Sequence, residues 1–147
     1  MRSYQPLSIG NYLLQFCNGY DTAQARSDHY AQTHVHIKTN ITKAGDIMMN
    51  FNIRGYSYAP VNIDTDVAFY CYAPVSFVYG VSVNHKAWSG FNVGMYYSSD
   101  NYVCIKVDGL GAYGGFVLNF INTSLIPWSG VVGILAWTKA NTGDAQY

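Results

Sequence analysis

The sequence predicts an all-β chain, and three observations predict it. Apolar residues recur with a period of two along most of its length. Turn-forming residues break that rhythm about every 8–12 residues, the spacing of a sandwich or barrel. All eight acidic residues are Asp, and Glu, the better helix former, is absent.

The alternation is clearest in two neighbouring stretches. In residues 33–39, Val35 and Ile37 alternate with His34, His36 and Lys38. In residues 46–54, Ile47, Met49, Phe51 and Ile53 alternate with Met48, Asn50, Asn52 and Arg54. Successive side chains of a strand leave opposite faces of the sheet, so each stretch suits a half-buried strand. The short link 40–45 ends in glycine and predicts that the two pair as a hairpin.

Strands are predicted over 32–40, 46–57, 66–73, 75–83, 90–98, 101–108, 115–121 and 131–139. Residues 131–137 are apolar on both faces, as in a central strand. Ala59-Pro60, Ala73-Pro74, Ser89-Gly90, the run 98–101, Asp108-Gly109, Gly114-Gly115 and Ser129-Gly130 supply the turns. Eight strands read as an antiparallel sandwich, with the jelly roll the leading strand order. Ahead of them, Leu7, Ile9, Tyr12, Leu13, Leu14 and Phe16 form an apolar arm. It is either an anchor on a neighbouring subunit or the first core strand. Residues 21–31 suit a short helix capped by Asp21 or Thr22. The expected organisation is an arm over 1–31, a β-sandwich domain over 32–140 and a loose tail over 141–147.

Composition narrows the function. The chain has 147 residues, the size of one domain. Half are hydrophobic, yet only 11% are charged, against roughly 25% in an average soluble domain. Net charge is zero, so no basic field for nucleic acid exists. A surface low in charge and carrying many of the 14 Tyr tends to associate, which predicts an obligate oligomer. No apolar leader follows Met1-Arg2, and no run approaches the ~20 apolar residues of a membrane helix. The expectation is a soluble chain, without membrane insertion, that is not exported by the usual route.

Chemistry-bearing motifs are sparse. His34 and His36 leave one strand face about 7 Å apart. They could join one metal ion only if the strand bends or other chains contribute; otherwise they are an exposed polar face. Cys17, Cys71 and Cys104 match no zinc spacing and read as buried free thiols. Asp64 and Asp66 sit in a predicted loop without the acidic neighbours of a calcium site. No carboxylate pair lies in an apolar setting, as sugar hydrolysis needs, and no nucleophile motif is present. Residues 109–115, GLGAYGG, lack the Lys and Ser or Thr of a phosphate loop and read as a turn. His29 and His85 read as surface residues. No enzymatic role and no cofactor are therefore expected, save the metal ion on the histidine pair.

The aromatics remain. Tyr56, Tyr58, Tyr70, Tyr72, Tyr96 and Tyr102 fall on or near strands, several opposite the core face. They suit burial between subunits, where Tyr is favoured. Trp88, Tyr97, Asp100 and Tyr102 are the candidate glycan or receptor contacts, because aromatic faces stack on sugar rings and carboxylates bind hydroxyls.

The run THVHIKTNI, the strand IMMNFNIRGYSYA and the aromatic segments VAFYCYA, NVGMYYSSDNYVCIKV and GFVLNFI resemble β-domains near the ends of bacteriophage tail-fibre and related virion surface proteins. The likeness covers roughly residues 32–121. It implies a trimeric jelly roll of the tumour-necrosis-factor type, built for host attachment. It also implies partners among other phage structural proteins, a host-surface glycan or protein as target, and assembly into the virion in the host cytoplasm. The His34 and His36 pair resembles those of long tail fibres, where three pairs around a trimer axis give six imidazoles to one metal ion. Residues 1–31 carry no coiled-coil or repetitive-shaft pattern, so a long fibre is not the expectation from this stretch. A capsid decoration protein that stabilises the phage head is therefore the alternative, and a glycan depolymerase a third.

Overall fold

A computed structural model describes residues 11–14, 34–43, 46–57, 61–109, 115–121, 133–140 and 143–147. Nine strands fill most of them: β1 (Asn11–Leu14), β2 (His34–Thr42), β3 (Ile47–Ser57), β4 (Val61–Cys71), β5 (Tyr79–His85), β6 (Asn92–Tyr97), β7 (Tyr102–Asp108), β8 (Gly115–Ile121) and β9 (Ile134–Ala140). Every pairing is antiparallel. One sheet has the order β1-β8-β3-β4-β5 and the other β6-β7-β2-β9.

The two sheets pack as a sandwich because each strand is apolar at every second position. Met49, Phe51 and Ile53 of β3, Val67 and Phe69 of β4, and Phe116, Leu118 and Phe120 of β8 supply one inner face. Val35 and Ile37 of β2 and Val103, Ile105 and Val107 of β7 supply the other. Each such side chain contributes about 1.5–3 kcal/mol when fully buried.

The expected β2–β3 hairpin is not formed. β2 pairs with β7 and β9, whereas β3 pairs with β4 and β8. The link between them passes from one sheet to the other, with Asp46 at φ 43°. Alternation fixes which face of a strand is buried, not which strand lies beside it. The two apolar faces meet across the core instead of side by side.

Other expectations shift by shorter distances. Residues 11–14 of the arm pair with β8 as a first strand; the predicted helix over 21–31 lies outside the described residues. β4 starts at Val61, so Asp64 and Asp66 lie on a strand. β5 starts at Tyr79, and residues 73–77 are turn and bend. β9 lies at a sheet edge, not the centre, with Leu135 exposed; a single exposed leucine is ordinary on a surface. The order β8-β3-β4-β5 has the 4-1-2-3 form of a Greek key. The jelly-roll neighbours β1-β8, β8-β3 and β2-β7 are present, while β3, β4 and β5 run as a meander within one sheet.

The C-terminal segment is not a loose tail over its described part. Lys106 Nζ donates to the Gly143 carbonyl at 3.4 Å, and the Gln146 amide donates to the Tyr96 hydroxyl at 3.3 Å. Residues 143–147 thereby lie across the outer face of the four-stranded sheet as a strap.

Candidate functional site

The β6–β7 turn builds one corner of the sandwich. Asn101 takes a left-handed φ of 64°, which a short amide side chain tolerates. Its N–H donates to the Ser98 carbonyl at 2.9 Å, and the Ser98 N–H donates to the Tyr102 carbonyl at 2.8 Å. The Ser98 hydroxyl donates to Asp100 Oδ1 at 2.5 Å and accepts the Tyr102 N–H at 2.9 Å. The Lys43 N–H, just past β2, donates to the Asn101 carbonyl at 2.9 Å and ties the turn to that strand. Lys38 Nζ closes on Asp100 Oδ2 at 2.6 Å. That ammonium, followed by the Ser98 hydroxyl, holds the Asp100 carboxyl below its usual range.

An open pocket of about 420 Å³ lies at this corner, lined by Thr42, Lys43, Ala73, Asp100, Asn101 and Tyr102. Asp100 and Tyr102, both anticipated as contacts, are thus brought together. Tyr97 lies beside them, its ring centroid 5.4 Å from Lys43 Nζ. Its hydroxyl is buried without a hydrogen-bond partner among the described residues, and burial, with the nearby Cys71 thiol, pushes its pKa up. Tyr97 packs against the core, supports Lys43 from below and does not itself line the pocket.

Trp88 does not join them. It precedes β6, whereas the corner follows β6, so the two lie at opposite ends of that strand. Its indole packs against the core at 5.8 Å from Phe91 and folds over Gly90, where a Cβ would collide with it. Trp88 closes the end of the core. Thr42, Lys43 and Ala73 are the lining residues that sequence reasoning missed. The turn signal of residues 98–101 is legible, but the sequence alone places Thr42 and Lys43 in a hairpin link over 40–45.

The histidines stand apart from this corner. His36 is fully buried on the outer face of β2, Nδ1 2.9 Å from the Tyr96 hydroxyl, its ring edge-on to Tyr96 at 5.7 Å. Burial pushes that hydroxyl up to about 12. His34 Nδ1 lies 3.7 Å from Asp108 Oδ2. The pair is therefore not an exposed polar face. Nor does it fit readily as an open ligand set, since reaching a shared ion would take His36 off Tyr96. No group of three or more His, Cys, Asp or Glu among the described residues could hold a metal ion. His85 is half-buried, Nδ1 2.9 Å from the Thr65 hydroxyl and its ring 4.7 Å from Phe91, not on the open surface. Cys71 and Cys104 are buried free thiols, as expected.

Asp64 and Asp66 share one outward face of β4, but an amide and an ammonium fill the space between them. Asn52 Nδ2 donates to Asp64 Oδ1 at 2.9 Å and to Asp66 Oδ1 at 2.7 Å. Lys86 Nζ approaches the same pair at 3.4 and 3.0 Å. The Asn52 amide first, then Lys86, holds both carboxyls below their usual range. A calcium ion would have to displace both groups.

A second surface lies on the outer face of the five-stranded sheet. The β4–β5 register shifts between Ala68 and Tyr70, and Gly80 adopts φ 60° there. Such a bulge re-aims the neighbouring side chain, and Tyr79 comes to oppose Tyr70. Tyr70 stacks on Tyr72 at 5.6 Å, and Phe77 lies 6.2 Å from Tyr79. Met48, the register partner of Tyr70, completes the patch. Met48, Tyr72, Phe77 and Tyr79 are 39–65% exposed, which is more than scattered surface apolars explain.

No family model, curated protein or solved structure matches the chain.

Polar side chains are concentrated at the corner. The side chains of Thr42, Lys43, Asn101 and Tyr102 converge there, and none hydrogen-bonds another described residue. Polar groups converging on a concave surface beside aromatic rings suit a ligand rich in hydroxyls.

Proposed function

We propose that this chain is a non-enzymatic surface protein of a bacteriophage virion, which attaches to a host-surface glycan or receptor as a tail fibre or its tip. The β6–β7 corner is the contact. The aromatic outer face of the five-stranded sheet is buried between the subunits of a trimer. What carries this reading is the corner itself, where four polar side chains that hydrogen-bond no other described residue gather in one pocket beside aromatic rings. The resemblance of residues 32–121 to fibre-end domains supports the viral setting. The aromatic face also suits a capsid decoration protein, because it would serve equally against a shell.

Binding separates the two. Purified protein should bind host cells through the corner, and Tyr102→Ala with Asn101→Ala should abolish that binding without unfolding the chain. Binding to emptied phage heads, with no binding to cells, would replace attachment by decoration. New reducing ends released from host polysaccharide would replace both by a depolymerase.

A further inference from the structure

We infer that the β6–β7 pocket takes a saccharide carrying an anionic substituent. The inference rests on the reading of this corner as the glycan contact. It comes from the state of the charges that line or brace the pocket. Asp100 is engaged within the protein: Oδ2 accepts from Lys38 at 2.6 Å and Oδ1 from Ser98 at 2.5 Å. Lys38 is engaged in turn, only 16% exposed, with its ammonium 5.1 Å from the Tyr102 ring centroid. This ion pair is a brace of the turn.

Lys43 is different. Its ammonium lies over the Tyr97 ring at 5.4 Å, and no described carboxylate comes within ion-pair distance of it. Asp46 is close in sequence but does not line the pocket, and its Oδ1 accepts the Ala73 N–H. The wall therefore presents the Lys43 ammonium, with no ion-pair partner among the described residues, beside the Thr42 hydroxyl, the Asn101 amide, the Tyr102 phenol and an Asp100 carboxylate whose charge Lys38 already balances. A carboxylate, sulfate or phosphate on a sugar ring would meet Lys43 while the ring hydroxyls meet the neutral groups. Such charge-assisted hydrogen bonds are about twice as strong as neutral ones. A neutral saccharide would partly dehydrate the ammonium and return no counter-charge.

The test uses the intact protein and four polymers. Polygalacturonate is compared with its fully methyl-esterified form, and dextran sulfate with dextran, by titration calorimetry at one salt concentration. Wild type should bind at least one anionic polymer about tenfold or more tighter than its neutral counterpart. Lys43→Gln should erase that difference, while Lys86→Gln, at the Asp64 and Asp66 cluster, should keep it. The two pairs of polymers tell a carboxylate from a sulfate. Equal binding of charged and neutral forms would overturn the inference and leave the corner as a neutral-glycan site. An equal loss in Lys86→Gln would overturn it too, by showing general attraction for polyanions. Binding to none of the four would remove the glycan reading of the corner along with the inference.

Discussion

Replacing Gly55 by alanine should damage the fold more than the same change at Gly80, and for a different reason. Gly55 lies on β3 opposite Phe116 of β8. A Cβ there would run into the Gly115 carbonyl oxygen and stand 2.7 Å from Phe116 Cα. Both obstacles are backbone, so the two strands would have to part. Overpacking of this kind costs about 1–3 kcal/mol, and rigid obstacles place it near the top of that range. Gly80 has nothing within 4 Å of its notional Cβ, but its φ is +60°. A left-handed alanine costs roughly 1–2 kcal/mol. Both changes also stiffen the unfolded chain, which favours the fold by about 0.4–1 kcal/mol in each and cancels in the comparison. At about 2–4 °C per kcal/mol for a chain of this size, Gly55→Ala should melt several degrees below Gly80→Ala. Calorimetry at one protein concentration reads the difference, since association shifts melting temperatures. A Gly55→Ala protein as stable as wild type would refute the close approach of β3 and β8. A reversed order would refute the reasoning at the bulge as well.

Three other outcomes follow from the same geometry. Tyr79→Ser with Phe77→Ser removes two exposed rings of the outer face; sedimentation should show a multimer in wild type and a smaller species in the variant. Deleting residues 143–147 should expose Cys104, whose thiol burial pushes up to about 11, so that a thiol reagent labels it at least about tenfold faster, while Cys71, buried on the inner face of β4, stays protected. Stability should change at both ends of the pH scale. The depressed carboxyls of Asp64 and Asp66 contribute above their ordinary value of 3.8 and lose that contribution as pH falls through their lower folded values. The raised Cys104 thiol contributes fully below its ordinary 9.0, and that contribution is lost as pH rises toward about 11. Asn52→Leu should move the acid transition to higher pH, and Cys104→Ala should flatten the alkaline one, both read by denaturant melts across pH.

What the sequence disclosed follows from what period-two alternation encodes. Val35 and Ile37, or Met49, Phe51 and Ile53, announce which side of a strand faces the core, and the sandwich follows from that. Alternation carries no information about neighbours, so β2 and β3 were paired with each other instead of facing each other. The turn at 98–101 was legible because Ser, Asp and Asn have turn chemistry, and two of the four site candidates, Asp100 and Tyr102, meet there. Lys43 was not legible, because only the pairing of β2 with β7, which sets Thr42 opposite Tyr102, carries it to that turn. Trp88 reads as an exposed contact in any list of loop aromatics; its folding over Gly90 depends on a neighbour of suitable size, which composition does not reveal. The bulge at Gly80 was hidden for a similar reason. A glycine inside an apolar run looks like a weak point until the φ of +60° shows it turning Tyr79 outward.

Cryo-electron microscopy of the virion proposed to carry this chain tests attachment most directly. The β6–β7 corner should face outward at the free end of a trimer, with Tyr72, Phe77 and Tyr79 covered by a sister copy. A map with that corner buried against a shell, or with the aromatic face open on a solitary chain, would contradict it.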